Sequence, residues 1–267
     1  MNMNEVVGRD DLLLMTFDTL RYDVAQDAWR NRETPNRARR LPATGWQRRH
    51  SPGNFTFAAH AAFFAGFLPT PAQPGQHPRL FAMRFPGAET VTADTCVLDA
   101  DNLVTGLAQR GYHTICIGGV GFFNKLSPLG NVFPSLFAES HWSPRLGVTN
   151  PESTANQVRL AIQCLERIDQ SRRVFLFVNL SALHQPNYYY EPGAAEDSLV
   201  THRAALRYVD HELSLLFDAL ERRGAGFGIL CSDHGTAYGE DGYHGHRLAH
   251  PVVWDVPYAE FSWEHRT

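Results

Sequence analysis

The stretch FGILCSDHG, residues 227–235, joins a short apolar run to a polar triplet that ends in glycine. A nearly continuous apolar run of this length predicts a β-strand that is buried on both faces, as in a parallel sheet. The strand would end before Asp233 and His234, and Gly235 would permit a turn that lets both side chains reach one ion. Asp-His-Gly triplets also occur at loop starts for turn chemistry alone. The function of this stretch therefore depends on what the rest of the chain supplies.

Three further apolar runs have the same character, and helical patterns alternate with them. The strand-like runs are Leu12–Phe17, His113–Ile117 and Val174–Leu180, and the helix-like segments are Asp101–Arg110, Ser153–Ile168 and Asp197–Arg223. This alternation predicts an α/β fold, in which helices flank a largely parallel central sheet. The length suits a single domain over residues 1–267. The proline-rich stretch Pro69–Pro86 is predicted to be a surface loop.

Acidic and histidine side chains follow three of the four predicted strands. Asp18 follows the first strand, His184 follows the third, and Asp233 with His234 follows the fourth. Ligands of such sheets collect at the carboxyl ends of the strands, so these side chains are expected at one edge. Two aspartates and a histidine suit one divalent ion, Zn²⁺ or Mn²⁺, with a further position left for a nucleophile, water or substrate.

The segment SPGNFTFAAHAAFFAGFLP, residues 51–69, offers a nucleophile. Thr56 stands directly before an alanine- and phenylalanine-rich helical run that ends at Gly66. At a helix start, a hydroxyl and its neighbouring backbone N–H groups favour an anion. A hydroxyl is a poor nucleophile at its own pKa, and metal coordination would activate it. The alternative is that Thr56 only caps the helix.

Composition and charge exclude several classes of function. A formal net charge of −4 argues against nucleic acid as the main partner. No apolar run is long enough to span a bilayer, and the N-terminal stretch MNMNEVVGRDD lacks the regions of a signal peptide. The cysteines form no CxxC pair, which predicts free thiols and a cytoplasmic location. They are Cys96, Cys116, Cys164 and Cys231.

Taken in order, these segments resemble the sulfatase-like branch of the alkaline phosphatase superfamily. The resemblance runs from about residue 12 to residue 260, and its motifs follow the family order. It rests on FDTLRYD (17–23), TPN (34–36), the nucleophile segment TFAAHAAFFAG (56–66), GYHT (111–114), HQP (184–186), the SDHG-to-GH stretch (232–246) and VPY (256–258). The family fold is a three-layer α/β sandwich. This chain is short for the group, so the resemblance also implies that the usual C-terminal subdomain is lacking.

The resemblance implies a role for each matching residue. The metal ligands would be Asp18, Thr56, Asp233 and His234, and the catalytic residues would be Thr56, His184 and His246. Substrate-binding residues would be Asn54, His60, His184 and His246. A second ion could draw on Glu240, Asp241, His244 and His250, although hydrogen bonding within the loop is the preferred interpretation of the two histidines.

The chain also departs from the family pattern in three places. No cysteine occupies the nucleophile position, Thr19 stands in place of a second acid, and Gly119 replaces a sulfate-contacting lysine. Lys125 is a candidate substitute for that lysine. These departures favour a phosphate-type ester over a sulfate ester. They also make the chain similar to the threonine-nucleophile phosphotransferases that modify lipid or envelope headgroups.

We therefore expect a metal-dependent hydrolase or phosphotransferase that acts on a phosphate-type ester through a covalent intermediate on Thr56. The expected partner is a small-molecule or headgroup ester, not nucleic acid. The short chain leads us to expect a pocket that either is open or is completed by another subunit or a protein partner. The alternatives are a sulfate-ester or phosphonate-ester hydrolase of the same family and a non-catalytic member that only binds a ligand or partner.

Overall fold

The computed structural model describes residues 2–66, 79–81, 95–97 and 102–266. Within these ranges the strands are β1 (Asp11–Phe17), β2 (Gln47–His50), β3 (Arg79–Phe81), β4 (Thr95–Val97), β5 (His113–Ile117), β6 (Glu139–His141), β7 (Val174–Leu180), β8 (Gly226–Cys231), β9 (Ala237–Tyr238), β10 (His244–Gly245) and β11 (Asp255–Trp263). The α-helices are α1 (Tyr22–Arg30), α2 (Pro35–Ala38), α3 (Thr56–Ala65), α4 (Leu103–Gln109), α5 (Pro128–Asn131), α6 (Ser153–Glu166), α7 (Leu199–Arg223) and α8 (Pro251–Trp254). Apart from β3, the predicted surface loop Pro69–Pro86 lies outside the described residues.

The central sheet has seven strands in the order β2-β11-β8-β1-β7-β5-β6. β1 pairs in parallel with both β7 and β8, and β5 pairs in parallel with β7 and β6. β11 runs antiparallel to β8 and to β2, so the sheet is largely parallel with one reversed strand. The predicted α/β architecture with a largely parallel central sheet is confirmed.

Two apolar cores, one on each face of the sheet, make the fold three-layered. Alternate side chains of β1 point to opposite faces. On one face Leu13, Met15 and Phe17 pack with Val24 of α1, Val158 of α6 and Leu213 of α7. On the other face Leu12 and Leu14 pack with Phe64 of α3 and Leu107 of α4. Burial on both faces explains why these strands have continuous apolar sequences rather than alternating ones.

The strands of the central sheet that sequence analysis missed are the edge strands β2 and β6 and the reversed strand β11, which lies between β2 and β8. β11 is half-buried and includes Pro257 and Glu260, so its sequence lacks the continuous apolar character used to find the others. β2 is the short exposed strand QRRH, and β6 has three residues. The predicted helices are confirmed with small changes at their ends. In the part of the chain that the structure describes, no helix is long and apolar enough to cross a membrane.

Candidate metal and nucleophile site

The site begins where the neighbouring strands β1 and β8 end. Thr16 is level with Cys231 in the parallel register, so Asp18 and Asp233 leave the sheet side by side. Ligand atoms of Asp18, Asp233 and His234 all lie within 4.8 Å of one another. The three side chains are fully buried. The predicted convergence of these residues at one edge of the sheet is therefore present in the structure.

The chain after β8 is shaped by close backbone contacts. The amide of Gly235 donates to the carbonyl oxygen of Val253 at 2.7 Å. A Cβ on Gly235 would lie 2.0 Å from the carbonyl oxygen of Val252. Glycine is thus required here for close approach of the backbone to Val252 and Val253, and its φ angle is not in the left-handed region.

His234 presents one ring nitrogen to the site. Its Nδ1–H donates to the carbonyl oxygen of Gly235 at 2.9 Å, which leaves the Nε2 lone pair facing Asp233 Oδ2 at 3.5 Å. Burial lowers the pKa of His234, so the ring is neutral at neutral pH. A neutral imidazole, held by a hydrogen bond through its other nitrogen, is the form that binds a metal ion.

Thr56 lies at the start of α3 and faces the same group. Its hydroxyl donates towards Asp18 Oδ2 at 3.3 Å and lies 3.3 Å from His234 Nε2. The N-cap of α3 is Phe55, and no side chain caps this helix end. The Thr56 hydroxyl is therefore directed at the predicted ligands rather than used as a helix cap.

Two carboxylate oxygens of the site are buried without a partner. Among the described residues, no hydrogen-bond partner exists for Asp18 Oδ1 or Asp233 Oδ2. Burial, together with the charge of Asp233, raises the pKa of Asp18 to about 6, and burial raises the pKa of Asp233 to about 7. Unpaired buried carboxylates are costly unless a cation compensates them. The donor set and its unpaired oxygens therefore fit one divalent ion, but they do not distinguish Zn²⁺ from Mn²⁺.

His184 and His246 lie next to this group, on the side of His234. The ring centroids of His234 and His246 are 4.6 Å apart, and those of His184 and His246 are 5.7 Å apart. Nδ1–H of His184 donates to the carbonyl oxygen of Gln185 at 2.5 Å, so Nε2 remains available. Burial, and then the neighbouring His234 and His184, lower the pKa of His246 to about 3. An anionic substrate would oppose this shift because it favours the protonated ring.

His60 lies behind Thr56, inside the core. Its Nδ1–H donates to the Thr56 carbonyl oxygen at 2.8 Å, and its Nε2 accepts from the Thr16 hydroxyl at 3.0 Å. The ring contacts several phenylalanines and is fully buried, and burial lowers its pKa to about 3. Both ring nitrogens are therefore already bonded to protein groups. Substrate binding by His60 stays a prediction. Asn54 accepts a hydrogen bond from the Arg247 amide at 2.9 Å through its backbone oxygen.

Asn179 is a site residue that sequence analysis did not find. Its side-chain amide donates to Asp18 Oδ2 at 3.4 Å and to Thr16 Oγ1 at 3.2 Å, and its Oδ1 accepts from the Val120 amide at 3.0 Å. It is the one polar residue in the apolar strand β7, and that exception was the available signal. Polar residues buried in an apolar strand need hydrogen-bond partners, and one of the partners here is the site carboxylate of Asp18.

The departures from the family pattern also have positions in the structure. Thr19, which replaces an acid, donates its backbone N–H to Asp233 Oδ1 at 3.3 Å. A Cβ on Gly119 would lie 2.3 Å from the Asn179 carbonyl oxygen, so the backbone here has no room for a lysine. Lys125 Nζ instead bonds the Ser140 carbonyl and hydroxyl oxygens at 3.0 and 3.1 Å, at the far edge of the sheet.

The residues considered for a second ion pair with other groups. Glu240 forms an ion pair with the buried Arg21, and Asp241 bonds His250 at 3.1 Å. His244 is exposed. In the described chain, the structure does not bring them into one cluster with His246.

Several solved structures of other proteins share this fold. The C-terminal periplasmic domain of phosphoethanolamine transferase EptC from Campylobacter jejuni is 15% identical, with a TM-score of 0.63 over 95% of this chain and 79% of that one. The corresponding EptC domain from Escherichia coli, in complex with Zn, is 13% identical, with a TM-score of 0.65 over 96% and 74%. An alkaline phosphatase superfamily protein from Vibrio parahaemolyticus is 18% identical, with a TM-score of 0.59 over 97% and 62%. The fold is therefore that of the alkaline phosphatase superfamily.

A sequence model of the sulfatase family matches residues 15–258, so the chain belongs to that family. It is an enzyme of the class that acts on phosphoric or sulfuric esters. A comparison with curated proteins gave no match. The cytoplasmic location predicted from the sequence finds no support among these structures, two of which are described as periplasmic domains.

Proposed function

We propose that the protein transfers a phosphate-type group from an ester by way of a covalent intermediate on Thr56. The observation that carries this proposal is the position of the Thr56 hydroxyl, which is 3.3 Å from both Asp18 Oδ2 and His234 Nε2. That position adjoins the two unpaired oxygens of Asp18 and Asp233. One divalent ion would be held by Asp18, Asp233, His234 and the Thr56 oxygen. It would supply charge neutralisation and a lowered pKa for the hydroxyl.

The residues of the chain account for the movement of protons in this reaction. The Thr56 hydroxyl proton has an acceptor in Asp18 Oδ2, to which it already donates. As Thr56 Oγ1 forms its bond to phosphorus, the bond between phosphorus and the leaving oxygen breaks. Protonated His184 or His246 gives its proton to that oxygen. The neutral ring then takes a proton from the water or second alcohol that attacks the phosphothreonine, and Asp18 returns its proton to Thr56 Oγ1 as the oxygen leaves phosphorus. The acceptor, water or alcohol, decides between a hydrolase and a transferase.

A phosphate-type ester is the favoured substrate, and a sulfate ester is the alternative. The lysine that contacts sulfate in related enzymes has no counterpart at Gly119, where the Asn179 backbone fills the space. The similar structures from C. jejuni and E. coli are described as phosphoethanolamine transferases, which supports a phosphoryl headgroup as the transferred unit. The zinc complex among them supports Zn²⁺ as the ion to test before Mn²⁺.

The test measures turnover of aryl phosphate, phosphodiester, phosphonate and sulfate esters by the metal-loaded protein. Thr56→Val keeps the shape of the side chain and removes the hydroxyl, so we expect loss of turnover with zinc still bound. Thr56→Ser should keep part of the activity. Mass spectrometry after quenching should find the phosphoryl group on the peptide that contains Thr56. Full activity of Thr56→Val would disprove the nucleophile, and faster turnover of the sulfate ester would favour the alternative.

A further inference from the structure

A second group of side chains that could bind a metal ion lies at the edge of the sheet formed by β6, away from β1 and β8. Glu139 and His141 are two residues apart on β6, so their side chains point to the same face of that strand. Cys164 lies in the last turn of α6. Their ligand atoms all lie within 4.8 Å of one another. Three strand spacings separate β6 from β1, or roughly 14 Å, so this group is distinct from the site at Asp18.

We propose that Glu139, His141 and Cys164 form a second, structural site for a transition-metal ion such as Zn²⁺. One oxygen, one imidazole nitrogen and one thiolate are all ligands that zinc accepts. Two ligands of a tetrahedral zinc ion, one nitrogen and one sulfur, stand about 3.5 Å apart. His141 Nε2 and Cys164 Sγ are separated by 3.5 Å. Water would complete the coordination.

The surroundings of Glu139 resemble the support that bound carboxylates usually have. Its Oε1 lies 2.7 Å from His141 Nε2, while its Oε2 accepts from His113 Nε2 at 3.0 Å. The bond from His113 fixes Oε2, which the ion does not use, and thereby orients Oε1 towards the proposed ion. Burial opposes ionisation, but bonds from His113 and His141 overcome it and lower the pKa of Glu139 to about 2. The carboxylate is thus available in its charged form.

An ion would compete with Arg167 for Glu139 and Cys164. Its guanidinium lies 2.5 Å from Glu139 Oε1 and 3.3 Å from Cys164 Sγ, between two of the proposed ligands. Its side chain is 59% exposed, so it can move into solvent when an ion binds. The Cys164 thiol would then release its proton to water, and the ion would join β6 to α6. Such a link would protect a three-residue edge strand that, among the described strands, pairs with β5 alone.

Cobalt titration of the chelator-treated protein, in the presence of a phosphine reductant, tests this site. Co²⁺ bound to a thiolate absorbs in the near ultraviolet, and the site at Asp18 contains no cysteine. We expect two ions per chain and this absorption in the wild type, and one ion without it in Cys164→Ala. The matched control is Cys116→Ala, which removes another buried cysteine, outside the group, and should keep the absorption. A wild type without the absorption, or undiminished absorption in Cys164→Ala, would overturn the proposal.

Further variants guard against misfolding and separate the two sites. His113→Ala should weaken cobalt binding here by about tenfold to a hundredfold, and unchanged affinity would count against the site. Arg167→Ala should bind cobalt more tightly, whereas weaker binding would show that the group needs the guanidinium and is an ion-pair cluster only. Asp18→Asn should bind one ion and keep the absorption, and loss of the absorption would overturn the proposal. A wild type with one ion and full absorption would instead contradict the site at Asp18.

Discussion

We expect that, without an ion, the charges of the buried Asp18 and Asp233 destabilise the folded protein. The substitution Asp233→Asn tests this expectation. Folding raises the pKa of Asp233 from 3.8 to about 7. A carboxyl group with a raised pKa binds its proton more tightly in the folded state than in the unfolded state. Its stabilising effect is therefore fully present below about pH 4 and is lost as the pH rises towards 7. Above that value the folded protein holds a buried charge.

The magnitude follows from the size of the pKa change. One unit of pKa corresponds to about 1.4 kcal/mol, so the charge on Asp233 costs on the order of 4 kcal/mol at pH 8. The charge of Asp233 also raises the pKa of Asp18, so the costs of the two charges do not simply add. Asparagine keeps an oxygen to accept from the Thr19 and His234 amides, which Asp233 Oδ1 accepts now. We therefore expect Asp233→Asn to raise the free energy of unfolding by about 3 kcal/mol at pH 8, which corresponds to a rise of about 6–12 °C in Tm.

Thermal and urea unfolding in chelator, at pH 5 and pH 8, measure this gain. At pH 5 the gain should fall below about 1 kcal/mol, because wild-type Asp233 is then protonated. Zinc should reverse the order, since a thousandfold excess over Kd stabilises the wild type by about 4 kcal/mol and the variant much less. Asp241→Asn, an exposed aspartate, is the control and should change stability by at most about 0.5 kcal/mol. An equal gain at both pH values, or no gain at pH 8, would refute the reasoning.

Four further predictions concern packing and proton transfer. Gly119→Ala should lower the free energy of unfolding by about 1–3 kcal/mol, because its Cβ would meet a backbone oxygen at 2.3 Å. A Cβ at Gly106 in α4 would lie in open space, so Gly106→Ala should raise the free energy of unfolding by about 1 kcal/mol in the same urea titration. Asp210→Ala removes the ion-pair partner of the buried Arg37, 2.9 Å away, and should cost about 3–5 kcal/mol by denaturant unfolding; a cost below 1 kcal/mol would contradict it. His246→Ala should slow esters with poor leaving groups by about 10²–10⁴-fold but those with good leaving groups far less, so equal losses would exclude a general acid.

The Thr34-Pro35-Asn36 motif shows how a sequence match can have a structural meaning. The amide of Asn36 and that of Arg37 donate to the two carboxylate oxygens of Asp210 at 3.0 and 2.9 Å. These bonds attach α2 to α7. From the sequence the motif supported only the family resemblance, because its partner lies more than 170 residues away along the chain.

The sequence by itself determined the parallel strands and the side chains at their ends. β5 and β7 were predicted with their observed bounds, because strands buried on both faces are mostly apolar along their whole length. Asp18, Asp233 and His234 follow such strands, so the sequence predicted that they lie at one edge of the sheet, and the adjacency of β1 and β8 then brings them together. The hydroxyl of Thr56 was found by its place before a helical run.

Tertiary structure alone decided the surroundings of these groups. The buried position of His60 behind Thr56, the contact of Gly119 with the Asn179 backbone, and the group of Glu139 with Cys164 join residues that are distant in sequence. Local propensity and periodicity describe neighbours along the chain. Crowding, unpaired buried oxygens and ligand spacing depend on which strands and helices pack together, and the register of the sheet sets that.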